Sequence, residues 1–208
     1  GHAPLRELDL SDCTLDIAAL DELAAYVAAS RTLTTLSVEH AFKIYAESTA
    51  PFALALTACT TLTTLNLAGV RLSSTEMRRI ALALKFHPAL ADLDAGDNPF
   101  CAAALAEIGR HPTLRRLRCD NMRMSYEAAA TLFAALAELP ALHDLTVGNE
   151  NPDVLMDQLR AVLAAGKIRD LTIRDMSVGM HTLGWTGCAP PDGVFLDSFA
   201  AVNLPQGS

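Results

Sequence analysis

The chain has 208 residues, 51% of them apolar and 19% charged, which is enough for one sizeable core and too apolar for a disordered segment. A net charge of −8 without any Lys/Arg-rich run disfavours phosphate backbones, so no nucleic-acid partner is expected. No run reaches the roughly 18 apolar residues of a membrane helix, because Asp21, Glu22, Arg78 and Arg79 break the Ala-rich stretches, so no membrane insertion is expected.

In chain order, Gly1 and His2 precede the first apolar pattern without a Met, and are read as a cleavage remnant of a longer chain. The pattern LxxLxL then begins at Leu5 (LRELDL), Leu33 (LTTLSV), Leu62 (LTTLNL), Leu90 (LADLDA), Leu114 (LRRLRC), Leu142 (LHDLTV) and Ile168 (IRDLTI). The spacings are 28, 29, 28, 24, 28 and 26 residues, room for one strand and one helix in each unit. After the first motif, Leu15, Leu20, Leu23 and Val27 recur at helical intervals. The second unit is irregular through Phe42, Ile44, Tyr45 and Pro51, which predicts a helix that starts late. In the third, Leu72, Met77, Ile80 and Leu84 repeat the stripe, and Ser73 with Glu76 predicts a capping box at its start. In the fifth the stripe is Met124, Ala129, Leu132 and Leu136. Pro88, Pro112 and Pro140 follow expected helix ends. Residues 178–208 lose the pattern but keep Leu183, Trp185, Val194, Phe195, Leu196 and Phe199, and are expected to cap the last strand edge or link onward.

These seven units resemble ribonuclease-inhibitor-like leucine-rich repeats, over residues 5–177. The resemblance implies an α/β solenoid, a parallel β/α horseshoe with helices on its convex side. The chain departs from that family at the bend usually held by Asn: only Asn98 matches, and Cys13, Ala41, Val70, Met122, Glu150 and Met176 stand elsewhere, which predicts apolar packing or water there. The Ala-rich helices and the phrase TTLTTLNLAG are also similar to leucine-rich-repeat effectors of plant-pathogenic bacteria. That likeness implies a role in virulence inside a host cell.

In such strands the motif leucines point inward, so motif positions 3, 5 and 7 are expected to point out on the concave face, in columns about 5 Å apart. Position 3 reads Glu7, Thr35, Thr64, Asp92, Arg116, Asp144 and Asp170; position 5 reads Asp9, Ser37, Asn66, Asp94, Arg118, Thr146 and Thr172; position 7 reads Ser11, Glu39, Ala68, Gly96, Asp120, Gly148 and Arg174. Asp92, Asp94, Arg116, Arg118, Asp120, Asp144, Thr146 and Asp170 form the expected partner-binding set, with Asp97 and Arg115 nearby. The competing explanation is a set of cross-strand ion pairs worth little each. These columns hold no Trp, Tyr or Phe, the usual anchors of strong interfaces, which leaves loops or the region around Trp185 as an alternative hot spot.

No catalytic set is expected. The five cysteines, Cys13, Cys59, Cys101, Cys119 and Cys188, are odd in number and lack a CxxC pair, which disfavours disulfides and zinc and fits a reducing compartment. Cys59, His87 and His111 share one unit position with Ser30, Leu139 and Ala165, a stack weighed as a metal site and set aside as structural, so no metal or cofactor is expected. The pairs Cys188–His181 and Cys101–His111 are weak nucleophile candidates, and Cys13, Cys101 and Cys119 are expected to be buried structural thiols. Cys188 is followed by Ala189 and Pro190, so the CxD motif of bacterial effector ubiquitin ligases is absent. The expectation is a protein-interaction module rather than an enzyme. The alternatives are the substrate-recognition part of a larger effector enzyme, such as a ubiquitin ligase, and an oligomerising domain.

Overall fold

The computed structural model describes residues 4–42, 49–148, 158–159 and 162–174, and the backbone of 198–202. Each LxxLxL motif forms one short strand: β1 (Glu7–Asp9), β2 (Thr35–Ser37), β3 (Thr64–Asn66), β4 (Asp92–Asp94), β5 (Arg116–Cys119), β6 (Asp144–Gly148) and β7 (Asp170–Arg174). Between the first six strands lie α1 (Ile17–Ala29), α2 (Ala50–Ala58), α3 (Ser74–Leu84), α4 (Ala102–Leu105) and α5 (Tyr126–Ala137), with a 3₁₀ turn over Ala106–Ile108 extending α4. Residues 158–159 and 162–164 are helical between β6 and β7. The protein is therefore α/β, an all-parallel sheet whose strands alternate with helices, since a parallel partner is reached only by a crossover.

Strand order equals chain order, and an eighth strand, β8 (Ser198–Val202), pairs in parallel with β7, Phe199 opposite Leu171. Only seven strands were expected, because the segment SFAAV lacks the leucine motif. Backbone pairing needs no particular side chain, so an added strand covers the β7 edge without repeating the pattern. The other expected tail anchors, Leu183, Trp185, Val194, Phe195 and Leu196, lie outside the described residues, as do Ile44, Tyr45, Glu150, Met176, His181 and Cys188.

The register aligns Leu8, Leu36, Leu65, Leu93, Leu117, Leu145 and Leu171 in one row. All but Leu8 are buried against the helices, each removal from water being worth about 1.5–3 kcal/mol. Leu8 and Leu5 are less covered because, among the described residues, no strand lies outside β1. The helix stripes face the same core: Leu20, Leu23 and Val27 from α1, Met77, Ile80 and Leu84 from α3, Ala129, Leu132 and Leu136 from α5.

Local chemistry sets the helix starts. Asp16, Ser73 and Ser125 each accept the amide of the third helical residue, at 2.9 Å from Ala19, 3.3 Å from Glu76 and 3.2 Å from Ala128. The Ser73–Glu76 capping box is complete. Four helices begin 12 residues after the first residue of their motif, whereas α2 begins 17 after Leu33, the late start its sequence predicted. Its N-cap Thr49 makes no cap bond and instead donates to the buried Glu76 carboxylate at 3.1 Å.

The turns after the strands repeat as well. Asp12, His40, Gly69, Asp97 and Asn121, the eighth residue of five successive motifs, all have φ between 51° and 63°. Asp, Asn, His and Gly are the residues that tolerate this left-handed region best. Gly69 is needed for a second reason: a Cβ there would come within 2.0 Å of the His40 ring. At the bend, Asn98 donates through Nδ2 to the carbonyls of Leu67, Ala95 and Gly96 at 2.8, 3.1 and 3.0 Å. Ala41, Val70 and Met122 bury apolar side chains at the same place. Cys13 differs from expectation. It is exposed, because it sits in the first unit with no earlier turn to pack against it among the described residues.

Candidate functional site

The sheet face away from the helices carries the charged columns. Pairing places Asp92, Arg116, Asp144 and Asp170 on successive rungs, and Asp94, Arg118, Thr146 and Thr172 on the parallel set. Seven of the eight expected residues therefore share a half-exposed surface, and a shallow depression of about 200 Å³ is lined by Asp92, Asp94, Arg116, Arg118, Asp144 and Thr146.

Arg116 holds Asp92 in a bidentate pair, Nε–Oδ1 2.5 Å and Nη2–Oδ2 2.7 Å, with 60% of the arginine side chain exposed. Arg118 is the hub of a denser group. Its Nε and Nη2 donate to Asp120 at 2.6 and 3.2 Å, Nη1 reaches Asp94 at 3.2 Å, and Nη2 lies 3.7 Å from Asp97. Asp97 is fixed in turn by Asn121 Nδ2 at 2.7 Å. One guanidinium thus faces three carboxylates. Arg115, also on the surface, forms no ion pair among the described residues.

Asp120 corrects the sequence reading. It was expected to point to solvent, but it is 1% exposed and lies beneath Arg118. Its neighbours explain how it fits: a Cβ at Gly96 would meet Asp120 Oδ1 at 2.6 Å, and one at Gly148 would approach Asp120 Cβ to 3.3 Å. Glycines at the same motif position in both flanking units open the space the carboxylate fills. That Gly96–Asp120–Gly148 alternation is the sequence signal that points to the buried carboxylate.

The electrostatics follow from this crowding. Burial raises the Asp94 carboxyl above its ordinary value, and Asp120 and Glu39 add to the rise, while the Gly96 amide and Arg118 oppose it. Burial likewise raises Asp144, with Asp170 on the next rung contributing. The bond to Asp120 pushes Arg118 further into its charged state. In motif positions 3, 5 and 7 the carboxylates are Glu7, Asp9, Glu39, Asp92, Asp94, Asp120, Asp144 and Asp170, against only Arg116, Arg118 and Arg174. Carboxylates outnumber guanidiniums at these positions, and the chemistry of the face suits a cationic ligand surface.

The stacked position of Ser30, Cys59, His87 and His111 is a different device. His87 Nδ1 accepts the amides of Ala89 and Leu90 at 3.3 and 3.1 Å, and His111 Nδ1 those of Thr113 and Leu114 at 3.3 and 3.1 Å. Ser30 Oγ does the same for Thr32 and Leu33, at 3.4 and 3.1 Å. Each side chain thus caps the turn that enters a strand. A ring whose Nδ1 accepts two N–H groups carries its proton on Nε2, so that nitrogen has no lone pair to offer a metal. Among the described residues, no group of three or more His, Cys, Asp or Glu converges to hold an ion.

Cys101 and Cys119 are buried. Cys101 Sγ contacts the Leu72 carbonyl at 3.2 Å, and burial, with Glu76 nearby, pushes its pKa up to about 12. Burial and then Asp120 push the Cys119 thiol up as well. Cys101 and His111 therefore have separate partners and form no nucleophile pair.

No protein-family model matches the chain, and no curated protein matches its sequence. Among solved structures, leiomodin-1 actin-binding site 2 aligns with a TM-score of 0.47 at 19% identity, over 74% of this chain and 78% of that one. Among the described residues, no helix is long and apolar enough to cross a membrane.

Proposed function

We propose that this chain is a leucine-rich-repeat solenoid that binds a partner protein through the sheet face opposite its helices, the concave face of such a fold, and carries out no chemistry itself. The partner presents a Lys- and Arg-rich surface to the Asp92–Asp170 rungs. The observation that carries this reading is the row of in-register rungs in which carboxylates outnumber guanidiniums. Arg116 and Arg118 organise the carboxylates around them. The same charge balance argues against nucleic acid.

The test is affinity capture from cell extract with the wild-type chain and with the double variant Asp144→Lys, Asp170→Lys as baits. Both side chains are partly exposed, so circular dichroism should report an unchanged fold. A protein with a basic surface, retained by the wild type, released by a few hundred millimolar salt and lost on the double variant, is the expected result. Capture that is indifferent to both changes refutes the concave site.

A further inference from the structure

We propose that two copies of this chain associate through the outer surface of helices α1 to α3, with α2 of one copy lying along α2 of the other. This surface is on the side opposite the charged rungs, and the inference does not rest on the function proposed above.

The sequence of α2, APFALALTA, contains no charge. Its inward side buries Phe52 and Leu56, and its crest is Leu54, which is 72% exposed. A groove of about 640 Å³ floored by alanines of α1 and α2 runs on one side of that crest. On the other, a groove of about 470 Å³ is bounded by Leu82 and Ala83 of α3. Scattered exposed leucines need no explanation, but a crest between two apolar grooves is a continuous patch of the kind that marks an association surface. It supplies both the knob and the hole that a self-complementary contact requires.

The charges at its edges identify the occupant. Asp21 borders the α1 groove and Arg79 the α3 groove. Neither makes an ion pair among the described residues, whereas the neighbouring Arg78 is bound to Glu107 at 2.9 Å. A two-fold axis in the contact plane and parallel to α2 carries α1 of one copy over α3 of the other. Asp21 then meets Arg79 of the second copy, twice. An axis in the same plane but across α2 would set Asp21 against Asp21 and Arg79 against Arg79, so the edges select one arrangement. A partner with edges of one sign would satisfy only half of this surface.

Three short helices give a contact at the small end of specific interfaces, so association is expected on the order of 10–100 µM. Sedimentation equilibrium across that range should show a mass rising from 22.1 kDa towards twice that value. Leu54→Glu, a change at an exposed crest, should hold the chain at monomer mass. Asp21→Arg and Arg79→Asp should each weaken association about tenfold or more, and combining them should restore it to within a few-fold of wild type. Three results would each overturn the proposal: a wild-type chain that stays monomeric at the highest concentration, a dimer indifferent to Leu54→Glu, or a double reversal as weak as either single one.

Discussion

His111 gives the most direct test of the stacked turn caps. Its side chain is fully buried, and its Nδ1 holds two amides. Burial first, and the proximity of His87 second, lower its pKa from 6.5 to about 4. The folded value lies below the unfolded one, so the unfolded chain takes the proton first as pH falls. The stabilisation is therefore complete above pH 6.5, declines between 6.5 and about 4, and levels off below that. The gap corresponds to about 3 kcal/mol. Protonation would also place a hydrogen on Nδ1 and break both amide bonds. The comparison variant is His111→Asn, whose side-chain oxygen can accept the same amides but does not titrate. Urea unfolding of both chains from pH 7 to pH 4 cancels the carboxylates they share. The wild type should lose about 3 kcal/mol more than the variant across that window. Parallel stability curves would refute the assigned tautomer and the capping role together.

Asn98→Ala removes a buried amide that serves three carbonyls, and should cost about 2–3 kcal/mol by chemical denaturation. Val at the same bend in the preceding unit is tolerated because Val70 has an apolar pocket. Leu117→Ala, at a fully enclosed row position, should cost about 2–5 kcal/mol, and Leu65→Asp should abolish the cooperative transition because it buries an unpaired charge. Arg116→Glu should change stability by less than about 1 kcal/mol because the Arg116 side chain is mostly in solvent, while Arg118→Glu, which sets a fourth carboxylate against Asp94, Asp97 and Asp120, should destabilise several-fold more by the same measurement. With a thiol reagent at pH 8, Cys13 should react in the native state, while Cys101 and Cys119 should wait for unfolding.

Arg118 shows where one-dimensional reading stopped. The alternation of leucines placed it correctly on the open face, and from that position alone it reads as a solvent-facing arginine. Its enclosure depends on Asp94 in the unit before it and on Asp120 folding back between Gly96 and Gly148. Similarly, Asp12, His40, Gly69, Asp97 and Asn121 share the eighth motif position, but only the backbone shows that all five adopt the left-handed conformation.

The sequence by itself determined the parallel strands, their register, the inward helix stripes, the Ser73–Glu76 cap and the late start of α2, because each follows from residues within one unit of about 28 positions. Only the tertiary structure decided that Asp120 is buried, that Cys13 is not, that β8 extends the sheet, and that Asp21 and Arg79 edge a single apolar surface. Those outcomes depend on which side chains meet across neighbouring units. Burial and charge at such points are set by contacts between distant residues, which the leucine periodicity does not record; for Asp120 the trace in the sequence is the pair of flanking glycines, Gly96 and Gly148.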